Sequence, residues 1–136
     1  MIVGIGIDVV YVSRLAHWLD NPGLLERFFH PREIEAARAR RSGALFSLAA
    51  RFAAKEAFGK ALGTGLRGIV LKDILVENNH NGKPHILVFG SAQRALEECG
   101  ANRIHLSLTH ERDNAIAMVI LEKIEKDGSA NHASIC

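Results

Sequence analysis

Residues 44–62 read ALFSLAARFAAKEAFGKAL, an alanine-rich run with Ser42-Gly43 before it and Gly63 after it. Alanine and leucine are among the strongest helix formers and glycine is the commonest stop, so the run predicts the longest helix of the chain. Leu45, Leu48, Ala49 and Phe52 recur at the i, i+3, i+4, i+7 spacing and mark a stripe that faces a core. One turn further the stripe reaches Glu56, then Gly59 and Lys60. A carboxylate stands where the pattern asks for an apolar side chain.

Upstream, residues 2–10 alternate, with Val3, Ile5, Ile7 and Val9 on one face and Gly4, Gly6, Asp8 and Val10 on the other. Two glycines weaken a strand, and a usual reason to tolerate them is the close approach of another backbone, side chain or ligand. Ser13 is placed to cap a short helix through Leu19, and Asn21-Pro22-Gly23 breaks it. A second short helix spans Leu24–Phe29. A third opens at Pro31, with Glu33 and Glu35 early and Arg38, Arg40 and Arg41 late, the charge order that suits a helix dipole.

Downstream of the long helix, Gly63–Gly68 is a glycine-rich loop, followed by a strand at Ile69–Glu77, a turn at Asn78–Pro84 and a strand from Ile86 to Phe89. Ser91 caps a helix to Cys99, and the strands Ile104–Thr109 and Ala115–Leu121 make a hairpin around Glu111-Arg112-Asp113. The sum is an α+β fold, a mostly antiparallel sheet packed on one long helix plus short helices, as a single domain over 1–124 with a polar, disordered tail over 125–136.

The chain has 136 residues, enough for one domain that buries roughly two-thirds of its unfolded surface. A formal charge of +2 is too near balance for a protein that coats nucleic acid by neutralising phosphates. The surplus is uneven: residues 1–60 hold nine Lys/Arg against six Asp/Glu, the remainder eight against nine. Cys99 and Cys136 make neither a disulfide framework nor a zinc site, which points to a reducing cytoplasm. The apolar start lacks a basic leader and carries Asp8, so it reads as a strand and not as a signal peptide or membrane anchor.

Asp8 and Glu56 are the leading pair, because each is a carboxylate in an apolar element and both elements face one core. A hard divalent ion satisfies both: Mg²⁺ takes one or two carboxylates and keeps its other positions for water and phosphate oxygens. Spacing alone equally allows Asp8 to end at a hydrated edge and Glu56 to pair with Lys60 four residues on. Arg51 and Lys55 lie on the adjoining flank of the helix, and with Lys60 they read as a cationic border around the acids, suited to a polyphosphate. The Gly63–Gly68 loop frees N–H groups for a phosphate, although it lacks the Gly-Lys-Ser/Thr ending of a P-loop. Ser107, Thr109 and His110 share a strand end and read as ligand contacts, or simply as the wet face of a hairpin.

Taken together, Gly4-Ile5-Gly6-Ile7-Asp8, the block Arg51-Phe52-Ala53-Ala54-Lys55-Glu56-Ala57 continuing into Lys60-Ala61-Leu62-Gly63-Thr64-Gly65, and Ser107-Leu108-Thr109-His110 resemble the holo-[acyl-carrier-protein] synthase family of 4'-phosphopantetheinyl transferases over roughly residues 1–122. The resemblance implies transfer of the 4'-phosphopantetheine group of coenzyme A to a serine of apo acyl carrier protein, with release of 3',5'-ADP, in fatty acid biosynthesis. It implies Mg²⁺ held by Asp8 and Glu56, catalytic roles for Asp8, Glu56 and Lys60, coenzyme A contacts from Arg51, Lys60, Gly63, Thr64, Gly65, Thr109 and His110, and carrier docking at Arg14. It further implies a homotrimer with active sites between subunits. His30-Pro31 stands where the family commonly has a threonine before its next helix, which touches only a cap. Charge alone adds Arg38–Arg41 as a complement to an acidic carrier. A different class of reading is a non-catalytic coenzyme A or nucleotide-binding sensor, which needs the same cationic rim and no bond cleavage.

Overall fold

The long helix forms over Ala44–Leu62 (α3), ended by Gly63 in the left-handed conformation at φ 85°. The computed structural model describes residues 1–125, so the expected tail beyond that point and Cys136 lie outside the described residues. Ahead of α3 come the strand Ile2–Tyr11 (β1), a 3₁₀ helix Val12–Trp18, and the helices Pro22–Phe28 (α1) and Pro31–Ala39 (α2). After it come the strands Ile74–Asn78 (β2) and Pro84–Val88 (β3), the helix Gly90–Glu98 (α4), and the hairpin Arg103–Glu111 (β4) and Asn114–Glu122 (β5).

The strands form two antiparallel sheets, one of order β1-β5-β4 and one of β2-β3. α3 lies across the inner face of the three-stranded sheet, against β1 and β5. The reason is visible in the side chains. Ala115, Ala117, Val119 and Leu121 of β5 are fully buried on that face, and α3 meets it with Ala53, Ala57 and Ala61. On β1 the glycines admit the helix: a Cβ at Gly4 would lie 1.9 Å from the Ala61 carbonyl oxygen, and one at Gly6 would lie 2.0 Å from that of Ala57. The close approach read from the two glycines is therefore to a helix backbone.

Three local expectations change and one cap forms with a different residue. The segment after β1 is a 3₁₀ helix from Val12 with no side-chain cap, so Ser13 caps nothing. The strand expected at Ile69 begins at Ile74, because Leu71–Asp73 coil into a 3₁₀ turn that carries Asp73 to the start of α4. There Asp73 accepts from both the backbone N–H and the hydroxyl of Ser91, so Ser91 lies inside the helix and Asp73 supplies the cap. The cap at His30 is built: its Nδ1 accepts from the Arg32 N–H while Glu33 accepts from the His30 N–H.

Candidate active site

β1 brings Asp8 out on its inner face, and α3 brings Glu56 and, one turn later, Lys60 to the same place. The Lys60 ammonium sits 3.0 Å from Asp8 Oδ1 and donates to the Ile7 carbonyl at 3.1 Å. Glu56 is half-buried, and burial first and the Asp8 charge second raise its pKa above the ordinary carboxylate value, with Lys60 and Arg14 opposing. Two like charges and two cations thus share one cluster. Arg14, on the 3₁₀ helix that follows β1, is near enough for its charge to act on Glu56.

The donor set fits a hard dication. Two carboxylates converge at a half-open edge, and no group of three or more His, Cys, Asp or Glu that would complete an all-protein cage exists among the described residues. A site with two carboxylates and the remaining positions open is the kind that Mg²⁺ shares with phosphate oxygens. Asp8 and Glu56 are the residues that would hold it.

The loop Gly63–Gly65 starts three residues after Lys60 and is held by the Gly65 N–H on the Gly59 carbonyl at 3.0 Å. Beside it opens a groove of about 640 Å³ lined by Thr64, Arg67, Ser91 and Arg94 among others. That Arg67 and Arg94 face one groove was not legible in the sequence, since no spacing links a loop arginine to one on α4.

Two expected cations are elsewhere. Lys55 is fully buried and paired with Glu33 at 2.7 Å. Arg51, 7% exposed, donates to the Val76 carbonyl and to Ser47. The cationic border consists of Lys60 and Arg14, while Arg51 and Lys55, four residues apart, occupy a different face of α3. Helical position 55 points 100° away from position 56, and that step carries Lys55 out of the site.

Thr109 and His110 lie on β4, across the central strand from β1. His110 shares the inner face with Asp8 and packs edge-on against Phe46 of α3, 4.9 Å between ring centres. Phe46 lies ten positions before Glu56, about 15 Å along the helix. Thr109 is in register with Ile116 and Val9 on the outer face, so it points away from the acids. One chain therefore assembles Asp8, Glu56, Lys60 and Arg14 but leaves Thr109 and His110 apart from them.

The chain matches a family model described as the 4'-phosphopantetheinyl transferase superfamily over residues 4–119. Among curated proteins it is similar to holo-[acyl-carrier-protein] synthase of Treponema denticola, 60% identical over 122 residues, which span 90% of this chain and 99% of the relative. The same-named protein of Treponema pallidum (strain Nichols) is 52% identical over 90% of this chain and 97% of its own. Among solved structures, holo-[acyl-carrier-protein] synthase from Neisseria meningitidis superposes with a TM-score of 0.81 at 36% identity, covering 90% of this chain and all of that one. A Bacillus anthracis enzyme in complex with CoA (3',5'-ADP) gives 0.75 at 36% identity, over 91% and 99% of the two chains. With its motifs in order and the acids gathered, the chain belongs to the 4'-phosphopantetheinyl transferase superfamily and is an enzyme of the holo-[acyl-carrier-protein] synthase kind.

Proposed function

We propose that the cluster of Asp8, Glu56 and Lys60 is where the 4'-phosphopantetheine arm leaves coenzyme A for a serine hydroxyl of apo acyl carrier protein. In that reaction the serine oxygen bonds to the β-phosphorus, the bond from that phosphorus to the bridging oxygen breaks, 3',5'-ADP departs with that oxygen, and the serine proton is lost. Mg²⁺ on Asp8 and Glu56 would polarise the phosphoryl oxygens and neutralise charge on the 5'-phosphate of the departing 3',5'-ADP. Lys60 supplies a second positive charge at the same edge, placed by its reach to Asp8 and the Ile7 carbonyl. Gly63, Thr64 and Gly65 would line coenzyme A by their close approach and not by N–H donation, since the Gly63 and Gly65 N–H groups already donate to the Lys60 and Gly59 carbonyls. Arg51, turned to Val76 and Ser47, would contact coenzyme A only if it left those partners. The observation that carries the reading is the convergence of Asp8 and Glu56, remote in sequence, with Lys60 between them and solvent.

The test is incubation with coenzyme A, Mg²⁺ and apo acyl carrier protein, read as the mass gain of the carrier. Gain of the phosphopantetheine mass, abolished by a chelator, is expected. Bound coenzyme A left whole beside a competent carrier would favour the sensor reading instead. We take carriers of fatty acid synthesis as the partners and a reducing cytoplasm as the setting, with which the free thiol of Cys99 accords. No described helix is long and apolar enough to cross a membrane.

Arg14 is exposed beside the acid pair, so an acidic carrier helix seated on it delivers its serine to the place where the diphosphate lies. Arg38, Arg40 and Arg41 are exposed as well and extend the positive surface. Arg14→Ala is expected to raise KM for the carrier about tenfold while KM for coenzyme A holds, the signature of a lost rim charge on the partner side only. Equal changes in both constants would remove Arg14 from docking.

The outer face of the three-stranded sheet supports the homotrimer with sites between subunits. Ile5, Ile7, Val9, Tyr11 and Met118 are each 40–59% exposed there, in one continuous apolar surface with Ile116 and Ile120. Surfaces of this kind mark association sites. A coenzyme A molecule that touches both Asp8 and Thr109 needs two copies, because one chain turns them to opposite faces of its sheet. Ile5→Asp is expected to yield a folded monomer in sedimentation, with transfer reduced by more than about a hundredfold. A fully active monomer would contradict the shared site.

A further inference from the structure

The buried charges Glu33, Arg51 and Lys55 stand outside the cluster, and all three converge on one feature. β2 pairs with β3 on one side only, so its other edge turns unpaired backbone groups toward α2 and α3. Along that edge the Lys55 ammonium donates to the Ile74 carbonyl at 2.8 Å, Glu33 Oε2 accepts from the Val76 N–H at 2.9 Å, and Arg51 Nε donates to the Val76 carbonyl at 3.2 Å. Lys55 is also ringed by Glu33 Oε1 at 2.7 Å and by the Phe28 and Leu71 carbonyls at 3.0 and 2.9 Å. Side chains thus take the place of a missing neighbouring strand.

We infer that the Glu33–Lys55 pair is the positioning device that sets the rotation of α3 about its own axis and so aims Glu56. Phe52 and Phe58 pack other faces of α3, but Lys55 is the side chain of this helix with the most polar anchors on other elements. Toward β1 and β5, α3 presents Ala53, Ala57 and Ala61 against Gly4, Gly6, Ala115 and Ala117, a stretch of small residues that permits close approach and offers few ridges of its own to resist turning, with Val119 and Leu121 beside it. Lys55 immediately precedes Glu56, and its ammonium is fixed by partners on α1, α2, β2 and the turn before β2. A turn of about 20° would carry a side-chain tip roughly 6 Å from the axis through about 2 Å, as large as a whole Mg²⁺–oxygen bond. A dication that demands near-ideal geometry does not tolerate that drift.

This inference rests on the reading of Asp8 and Glu56 as ligands of Mg²⁺, and the experiment separates the two. Binding of coenzyme A is titrated calorimetrically at a series of Mg²⁺ concentrations for the parent, Glu56→Gln, Glu33→Gln and Glu33→Asp, with kcat and both KM values measured alongside. Glu56→Gln losing its Mg²⁺ dependence establishes the ligand reading, and its keeping that dependence would overturn the ligand reading itself. Given that loss, Glu33→Gln is expected to need roughly tenfold more Mg²⁺ for half-maximal binding and to lose kcat in proportion, with carrier KM unchanged, as for groups that orient metal ligands from behind. Glu33→Asp keeps the charge and shortens the reach, and is expected to show a smaller shift in the same direction. A folded Glu33→Gln whose Mg²⁺ requirement stays within about twofold of the parent would overturn the proposal. Should that variant fail to fold, Glu33→Asp decides by the same criterion, and failure of both to fold would overturn it too, since the pair would then hold the fold and not the aim of Glu56.

Discussion

Glu56→Gln is expected to reduce transfer by on the order of a thousandfold or more while the folded protein melts no lower than the parent. The substitution keeps the shape of the side chain and its helix propensity, and removes only the charge. On the proposed function, activity falls because one of the two carboxylates that would hold Mg²⁺ is gone and a neutral amide oxygen is a poor ligand for a hard cation. Stability moves the other way. In the fold, burial and the Asp8 charge raise the Glu56 pKa, so the folded chain holds this proton more tightly than the unfolded chain does. Below the ordinary carboxylate range both states are protonated and the two proteins should melt alike. As pH rises through the ordinary value toward the raised one, the parent loses stability and the Gln variant does not, so the gap in melting temperature opens toward neutral pH. Lys60 and Arg14 limit the gap without reversing it. Thermal melts without added metal from pH 4 to 7, together with the carrier mass assay, check both halves. A variant that melts lower than the parent at neutral pH, or that keeps transfer, would detach Glu56 from the assigned role.

That opposition between activity and stability explains why the site was legible at all. Glu56 showed itself because it breaks an apolar stripe, and Asp8 because it follows two glycines in a strand that has no other charge. Residues that obey their local pattern give no such signal. Arg51 and Lys55 sit four apart on a helix, which reads as an exposed basic flank as readily as a buried one, and only the bare edge of β2 decides between them. Glu33 looked like an ordinary first-turn carboxylate suited to the helix dipole, yet it is fully buried and serves three partners on three elements. The order of elements followed from periodicity and stop signals. The split into two sheets did not, because alternation tells which face a strand buries and is silent about which strand lies beside it. The outer sheet face shows the same limit: Ile5, Ile7 and Val9 are as apolar as any core residue, and the pattern cannot say whether the cover is the same chain or another copy.

Gly6→Ala is expected to cost about 3 kcal/mol or more of stability, the upper end of what an added methyl does in a packed interior. The added carbon would lie 2.0 Å from the Ala57 carbonyl oxygen and 2.6 Å from the Ala61 nitrogen, on top of the helix backbone between them. Neither atom belongs to a flexible side chain, so relief requires β1 and α3 to separate. These two elements carry Asp8 on one and Glu56 with Lys60 on the other, hence the parting that relieves the clash also pulls the acids apart. Transfer should therefore fall further than the folded fraction accounts for, with a raised Mg²⁺ requirement in whatever remains folded. Gly23→Ala is the matched control. Its Cβ would meet nothing nearer than Asn21 Oδ1 at 3.4 Å, inside the short helix α1, and the same chemical change should there stabilise by about 0.5–1 kcal/mol through helix propensity and a less flexible unfolded chain. Urea denaturation of the pair gives midpoints on opposite sides of the parent if the contact between β1 and the α3 backbone is what brings Asp8 and Glu56 together. A Gly6→Ala midpoint equal to the parent's would mean that strand and helix do not touch there, and the acid pair would lose the contact that makes it a pair.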